Sequence, residues 1–276
     1  MLQLWLGIVT GAVLASSIPT AHQYKARPPA FFLAGDSTTA YNGGWGDGFL
    51  APLISTAWGV NIGKSGATTV SYVAGGNWLN ITTHLRDNAD KYDCYVTISV
   101  SEANAMGLVI KYFRTDTYIS LRKFGHNDQK AENGVPFDIY QENLIKFAKE
   151  VQSLGGTPLL TSSLTRRVFP SGEDHNATDS LHNERLAAIA AAKATNSTVI
   201  DLNAASLKYV NAIGKAAAWE YNWGDDKKDT THLNDYGTVV FGRIVADLVI
   251  REKPYLSSWF TPNETLSYAI WNGLPA

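Results

Sequence analysis

Short apolar runs alternate with longer stretches of helical periodicity along this chain of 276 residues, and this alternation limits the possible folds more than any other feature. Continuous apolar runs of this length suit strands that are buried on both faces, as in a parallel sheet covered by helices. The runs lie at residues 30–34, 57–62, 95–98, 158–161 and 198–202. The sequence therefore predicts one α/β domain, a three-layer α/β/α sandwich with a parallel sheet of about five strands.

Three longer segments have apolar residues at helical spacing and fill gaps between or after these strands. They cover residues 140–154, 183–195 and 236–251. Gly155 and Gly156 end the first of them, and Asn234 or Asp235 can cap the first turn of the last. Pro254 marks the end of that last helix.

The first 17 residues have the pattern of a signal peptide. Residues 2–15 are almost wholly apolar, and the small residues that follow end at Ser17. Cleavage after Ser17 fits the small-x-small rule and leaves a mature domain of residues 18–276. The alternatives are a buried first helix or a membrane anchor, although the run is short for a membrane span.

Four Asn-x-Ser/Thr sequons support secretion, because such a site is glycosylated only in a chain that enters the secretory pathway of a eukaryote. Their asparagines are Asn80, Asn176, Asn196 and Asn263. The sequence therefore predicts a secreted, extracellular glycoprotein.

The balance of residue types argues against several classes of partner. The formal net charge is −2 with acids and bases interspersed, so we expect no nucleic acid and no stable membrane association. We also expect a monomer. Cys94 is the only cysteine, which excludes an internal disulfide, and its apolar neighbours predict a buried structural thiol. The histidines other than His232 are scattered and predict no metal site and no cofactor. They are His22, His84, His126, His175 and His182.

Two separate motifs could supply the groups of a serine hydrolase. Ser37 follows the first strand directly, with Gly35 before it, and so lies at the sheet edge where open α/β sheets bind ligands. Asp229 and His232 precede the last helix, and on a loop their side chains can meet. The carboxylate can then accept from one imidazole nitrogen and leave the other to take the serine proton. The alternatives are a serine in an ordinary turn and a solvated surface histidine.

Further residues could complete such a site. Asn127 could direct its amide N–H at a developing oxyanion, or it could belong to a simple turn. Gly66 follows the second strand and could present its backbone N–H to a ligand, with Gly63 as the alternative donor. Trp45 comes just after the serine motif and Trp223 just before the Asp–His pair. Either could stack on a sugar or simply pack at the rim of the site.

Taken together and in this chain order, the motifs resemble the SGNH hydrolase superfamily, also called GDSL-type, which is named for blocks of Ser, Gly, Asn and His. The resemblance covers residues 30–250 and implies a flavodoxin-like SGNH hydrolase fold. It implies Ser37 as nucleophile and Asp229 and His232 as the acid–base pair. It also implies an oxyanion hole formed by Ser37, Gly66 and Asn127.

Within the superfamily the sequence is most similar to the fungal rhamnogalacturonan acetylesterases. The similarity rests on residues 33–38, 124–128, 231–234 and 237–242. It implies a secreted carbohydrate esterase that removes acetyl groups from a pectin-type polysaccharide without a cofactor. A GDSL lipase or lysophospholipase on the same scaffold and an inactive carbohydrate-binding relative are the alternative functions.

Residues 100–123 interrupt the resemblance. The family pattern runs directly from the third strand into the Phe-Gly-His-Asn-Asp block, whereas here this segment separates Ser99 from Phe124. Because its removal leaves an uninterrupted strand, we interpret it as a retained intron. The alternative is a genuine insertion, which would disturb the strand that positions Asn127 and leave the chain less active than its family. Uninterrupted coverage of these codons in mature messenger RNA would contradict the intron interpretation.

Overall fold

A parallel sheet of five strands forms the centre of the computed structural model, which describes residues 27–99, 104–105, 132–134 and 137–276. The strands in chain order are β1 (Pro29–Gly35), β2 (Trp58–Asn61), β3 (Asp93–Ser99), β4 (Asn104–Ala105), β5 (Glu132–Gly134), β6 (Thr157–Thr161), β7 (Thr198–Ile200), β8 (Asn222–Trp223) and β9 (Asp229–Leu233). The central sheet has the order β2-β1-β3-β6-β7, and every neighbouring pair in it is parallel. The chain therefore moves outward from β1 in both directions, which makes the end of β1 a topological switch point.

Helices cover both faces of this sheet. They are α1 (Gly46–Leu50), α2 (Thr69–Ala74), α3 (Asn77–Asn88), α4 (Phe137–Ser153), α5 (His182–Thr195), α6 (Leu202–Trp219), α7 (Asp235–Glu252), a 3₁₀ helix (Pro254–Trp259) and α8 (Glu264–Trp271). Alternate residues of β1 belong to two separate cores: Phe31 and Leu33 pack beneath α1, α6, α7 and α8, and Phe32 and Ala34 pack beneath α2 to α5. Burial on both faces explains the continuous apolar run.

The predicted three-layer α/β/α architecture is confirmed, with all five strands and all three helices close to their expected positions. The last central strand is shorter than predicted and ends at Ile200. The reason is that the Asp201 side chain accepts the N–H of Ala204 and so begins α6, which the strand prediction had partly overlapped. Asn234 caps α7 by accepting the N–H of Gly237.

The prediction that Asp229 and His232 lie on a loop is wrong. Both belong to β9, which pairs antiparallel with β8 and opposes Asp229 to Trp223. The register shifts within this short hairpin, and such irregular pairing bends a strand and redirects its side chains.

Several sequence predictions lie outside the described residues. These are the signal peptide, Asn127, and residues 100–123 apart from Asn104 and Ala105, whose backbone pairs antiparallel with β5. Among the helices in the described ranges, none combines the length and apolar character needed to cross a membrane.

Candidate active site

Ser37 lies at the carboxyl end of β1, in a tight turn that its neighbours stabilise. The N–H groups of Thr39 and Ala40 both donate to the carbonyl of Asp36, at 3.1 and 3.0 Å. The Asp36 carboxylate accepts from the N–H and the hydroxyl of Thr38 at 2.7 and 2.8 Å. A Cβ at Gly35 would lie only 2.1 Å from Thr39 Oγ1, so this turn requires glycine there. The turn leaves Ser37 8% exposed, at the switch point of the sheet.

Three side chains form a continuous hydrogen-bonded relay at this point. His232 Nε2 lies 2.8 Å from Ser37 Oγ, and His232 Nδ1 lies 2.7 Å from Asp229 Oδ2. An ionised carboxylate can only accept hydrogen bonds, so Nδ1 must carry the ring proton. Nε2 is then the acceptor for the serine hydroxyl, which is the arrangement that general-base activation of a serine needs.

The surroundings of Asp229 keep its carboxyl group ionised. Burial alone raises the pKa of Asp229, but hydrogen bonds from the His232 ring and from the backbone N–H groups of His232 and Thr231 hold it below its ordinary value. The two backbone donors lie 3.0 and 2.9 Å from Oδ1. One carboxylate oxygen is therefore anchored to the backbone of β9, and the other is free to orient the imidazole.

Gly43 lies against the side chain of His232. Its carbonyl accepts the N–H of Leu233 at 2.8 Å, and its φ of +122° is a conformation that L-residues rarely adopt. A Cβ there would lie 3.3 Å from the Cβ of His232. Only glycine satisfies both the backbone conformation and the close approach.

We expect Gly43→Ala to lower the turnover number by roughly tenfold to a hundredfold, since a shift of about 1 Å in a positioned group can cost about 10² in rate. Steady-state kinetics with an ester substrate would measure the change. Gly172→Ala is the matched control, because Gly172 also has a positive φ, of +83°, but no atom lies within 4 Å of its Cβ position. An equal loss in both variants would show that backbone strain alone is responsible.

Two of the backbone N–H groups that the sequence predicted as oxyanion donors have no hydrogen-bond acceptor among the described residues. In the part of the chain that the structure describes, neither Ser37 nor Gly66 uses its N–H for a hydrogen bond. Gly63 differs, because its N–H donates to Asn61 Oδ1 at 3.0 Å and its Cα packs against the turn at Ala40. The Gly63 N–H is therefore already used, and the role of Gly66 as an oxyanion donor stays a prediction. The role of Asn127 stays a prediction outside the described residues.

The prediction that Trp45 binds substrate is wrong. Its side chain is fully buried and makes an edge contact with Phe49, with ring centroids 6.2 Å apart, inside the core beneath α1. Trp45 is the N-cap of α1, and its carbonyl accepts the N–H of Phe49 one turn later, which places the two rings in contact. Trp223 is 38% exposed on β8 opposite Asp229, so its sugar-stacking role stays a prediction.

The four sequon asparagines are all exposed. Asn80 lies on α3, Asn176 in the loop before α5, Asn196 at the end of α5, and Asn263 at the start of α8. Their positions are compatible with glycosylation, which stays a prediction. In the described ranges, no group of three His, Cys, Asp or Glu residues could hold a metal ion.

Comparison with known proteins supports the resemblance. The chain is 27% identical over 238 residues to RhgT, a rhamnogalacturonan acetylesterase of Bacillus subtilis, and the match covers 80% of this chain and 89% of the relative. The relative is bacterial, whereas the sequence predicted a similarity to fungal proteins. No family profile matches the chain.

Solved structures share the fold. The Bacillus subtilis protein YXIM has a TM-score of 0.61 at 17% identity, with 82% of this chain and 57% of that chain covered. The present chain therefore spans little more than half the length of that protein. Axe2, an acetylxylan esterase of Geobacillus stearothermophilus, has a TM-score of 0.52 at 18% identity, with 82% and 94% covered. The resemblance to the SGNH hydrolase superfamily is confirmed.

Proposed function

From its SGNH hydrolase fold and its site, we propose that the chain is a secreted serine esterase that removes acetyl groups from a pectin-type cell-wall polysaccharide such as rhamnogalacturonan. One observation carries the esterase part of this proposal. The relay joins Ser37 Oγ to His232 Nε2 at 2.8 Å and His232 Nδ1 to Asp229 at 2.7 Å, at the carboxyl end of β1.

The proposed reaction has two halves. In the first, Ser37 Oγ attacks the acetyl carbonyl carbon while its proton passes to His232 Nε2, and Asp229 stabilises the imidazolium. The charged carbonyl oxygen accepts hydrogen bonds from the N–H groups of Ser37 and Gly66 and, as the resemblance implies, from Asn127. Each such donor stabilises the transition state by about 2.7–4 kcal/mol. The bond between the acetyl carbon and the sugar oxygen then breaks, and His232 gives its proton to that departing oxygen, which leaves as a sugar hydroxyl.

In the second half, water attacks the acetyl-serine. His232 takes a proton from the water, and the intermediate collapses to release acetate and restore the Ser37 hydroxyl. Atoms and protons balance in both halves of this reaction without a metal ion or a redox group.

Exposed aromatic side chains support a carbohydrate substrate. Trp223 is 38% exposed beside Asp229, and Tyr41, which is 73% exposed, lies in the same turn as Gly43. Tyr236 is 51% exposed in the first turn of α7, just after β9. Rigid rings with one apolar face and a polar edge suit contacts with sugars at a wet surface. The name of the relative RhgT points to the same class of substrate.

Acetate release tests the proposal. We expect the purified protein to release acetate from acetylated rhamnogalacturonan, and to cleave p-nitrophenyl acetate with a kcat/KM on the order of tenfold or more above that for the octanoate ester. Saponified rhamnogalacturonan, which has no acetyl groups, is the matched substrate control. Preference for octanoate or lysophosphatidylcholine would favour the lipase alternative instead. A folded protein that binds the polysaccharide without turnover would favour the inactive carbohydrate-binding relative.

A further inference from the structure

A fully buried arginine lies directly behind the strand that carries the Asp–His pair. Arg167 follows β6 in a long loop and is 0% exposed. Its Nη2 donates to the backbone carbonyl of His232 at 2.7 Å, and its Nε donates to Asn222 Oδ1 on β8. Neither the sequence motifs nor the resemblance drew attention to it, because its partners are far away in the chain.

The main chain of Arg167 binds the same strand. Its N–H donates to the carbonyl of Thr230 at 2.9 Å, and its own carbonyl accepts from the indole N–H of Trp219 on α6 at 3.0 Å. Arg167 thus contacts β9 at Thr230 and at His232, on both sides of Thr231. These two contacts fix the backbone from which the imidazole and its anchoring carboxylate project.

A buried cation at this position is costly unless it is paired. Burial lowers the pKa of Arg167 to about 9, and the charge of Asp229 opposes this effect. Among the described residues, Nη1 is buried without a hydrogen-bond partner. Replacing a buried charged group together with its partners by apolar side chains is often neutral or stabilising, so packing alone does not require a guanidinium here. The free-energy cost of burying this guanidinium therefore points to a role in the active site.

We propose that Arg167 is a positioning residue, which holds β9 so that His232 meets both Ser37 and Asp229. The expected change in kcat rests on the proposed function. The claim that Arg167 holds β9 and His232 in place does not depend on activity. Arginine suits the position because its planar fork binds two acceptors at a fixed angle, whereas a lysine ammonium is a flexible point charge.

The test compares Arg167→Met and Arg167→Lys with Arg243→Met. Arg243 is a matched control, because it is also largely buried and donates to a backbone carbonyl, that of Thr261, at 3.1 Å. For Arg167→Met we expect kcat to fall roughly 10²-fold with KM changed by about twofold or less, since substrate contacts are untouched. Arg167→Lys should recover part of kcat because it keeps the charge and one donor. Arg243→Met should keep the wild-type kcat.

Proton NMR supplies a readout that does not depend on turnover. The Nδ1 proton shared by His232 and Asp229 should give a low-field resonance in the wild type and in Arg243→Met, and a weakened or missing one in Arg167→Met. A folded Arg167→Met variant with both the resonance and kcat intact would overturn the proposal. If Arg167→Met does not fold, an Arg167→Lys variant that keeps both the resonance and the full wild-type kcat would overturn it. A wild type that has the resonance but no esterase activity would contradict the proposed function alone.

Discussion

Ser37→Ala is expected to lower kcat for acetate release by roughly 10⁶-fold while leaving the fold intact. The reason is that the bond-forming atom, Ser37 Oγ, is removed, and no other hydroxyl lies within hydrogen-bond distance of His232 Nε2 among the described residues. Ser37 is small and already 8% exposed, so its loss creates little cavity. Acetate release measures the expected fall in kcat. The thermal unfolding midpoint, measured on the same preparation, checks that the fold is intact.

Ser162→Ala is the matched control for this variant. Ser162 is also buried and follows β6, another strand of the central sheet. Its hydroxyl donates to Asp201 at 2.9 Å, and Asp201 follows β7, which lies three strands from β1 in the sheet. We expect it to change stability without changing the chemical step. Full activity in Ser37→Ala would show that another group is the nucleophile.

Asp229→Asn is expected to lower kcat by roughly 10⁴-fold, with a much smaller change in KM. Asp229 Oδ1 accepts two backbone N–H groups, so the amide oxygen of the new asparagine would take that position. Its NH₂ group would then face His232 Nδ1 and donate to it. The ring proton would be forced onto Nε2, which could no longer accept the proton of Ser37.

The thermal unfolding midpoint, measured beside kcat, separates this explanation from simple misfolding. The wrong tautomer disables the base at every pH at which the ring is neutral, so raising the pH should not restore kcat. Asp226→Asn is the matched control, because Asp226 lies on the same hairpin connection and pairs with Lys228 on the surface. Near-wild-type kcat in Asp229→Asn would contradict the role of the carboxylate.

The central sheet and the position of Ser37 could be predicted because their signals are local. Continuous apolar runs of the length of β1 and β3 occur where both faces are buried, and a serine that follows such a run must lie at the sheet edge. The helices α4, α5 and α7 were predicted for a similar reason, since their apolar residues repeat at the helical period.

The rest of the site depends on contacts that no local pattern encodes. β8 contains only Asn222 and Trp223, too few residues to show alternation, so the β8–β9 hairpin and the strand conformation of His232 were not predicted. Trp45 was a candidate for sugar stacking because it comes just after the serine motif, but packing against Phe49 buries it. The role proposed for Arg167 depends on its hydrogen bond to the carbonyl of His232, which is distant in sequence.

Labelling with a p-nitrophenyl alkylphosphonate tests the central claim most directly, because such a reagent captures a serine only when a neighbouring base activates it. Intact-mass and peptide analysis should find one phosphonyl group on Ser37, and the labelling rate should fall by roughly 10³-fold or more in His232→Ala. A folded wild-type protein that is not labelled, is labelled at another residue, or is labelled equally fast without the imidazole would contradict the account.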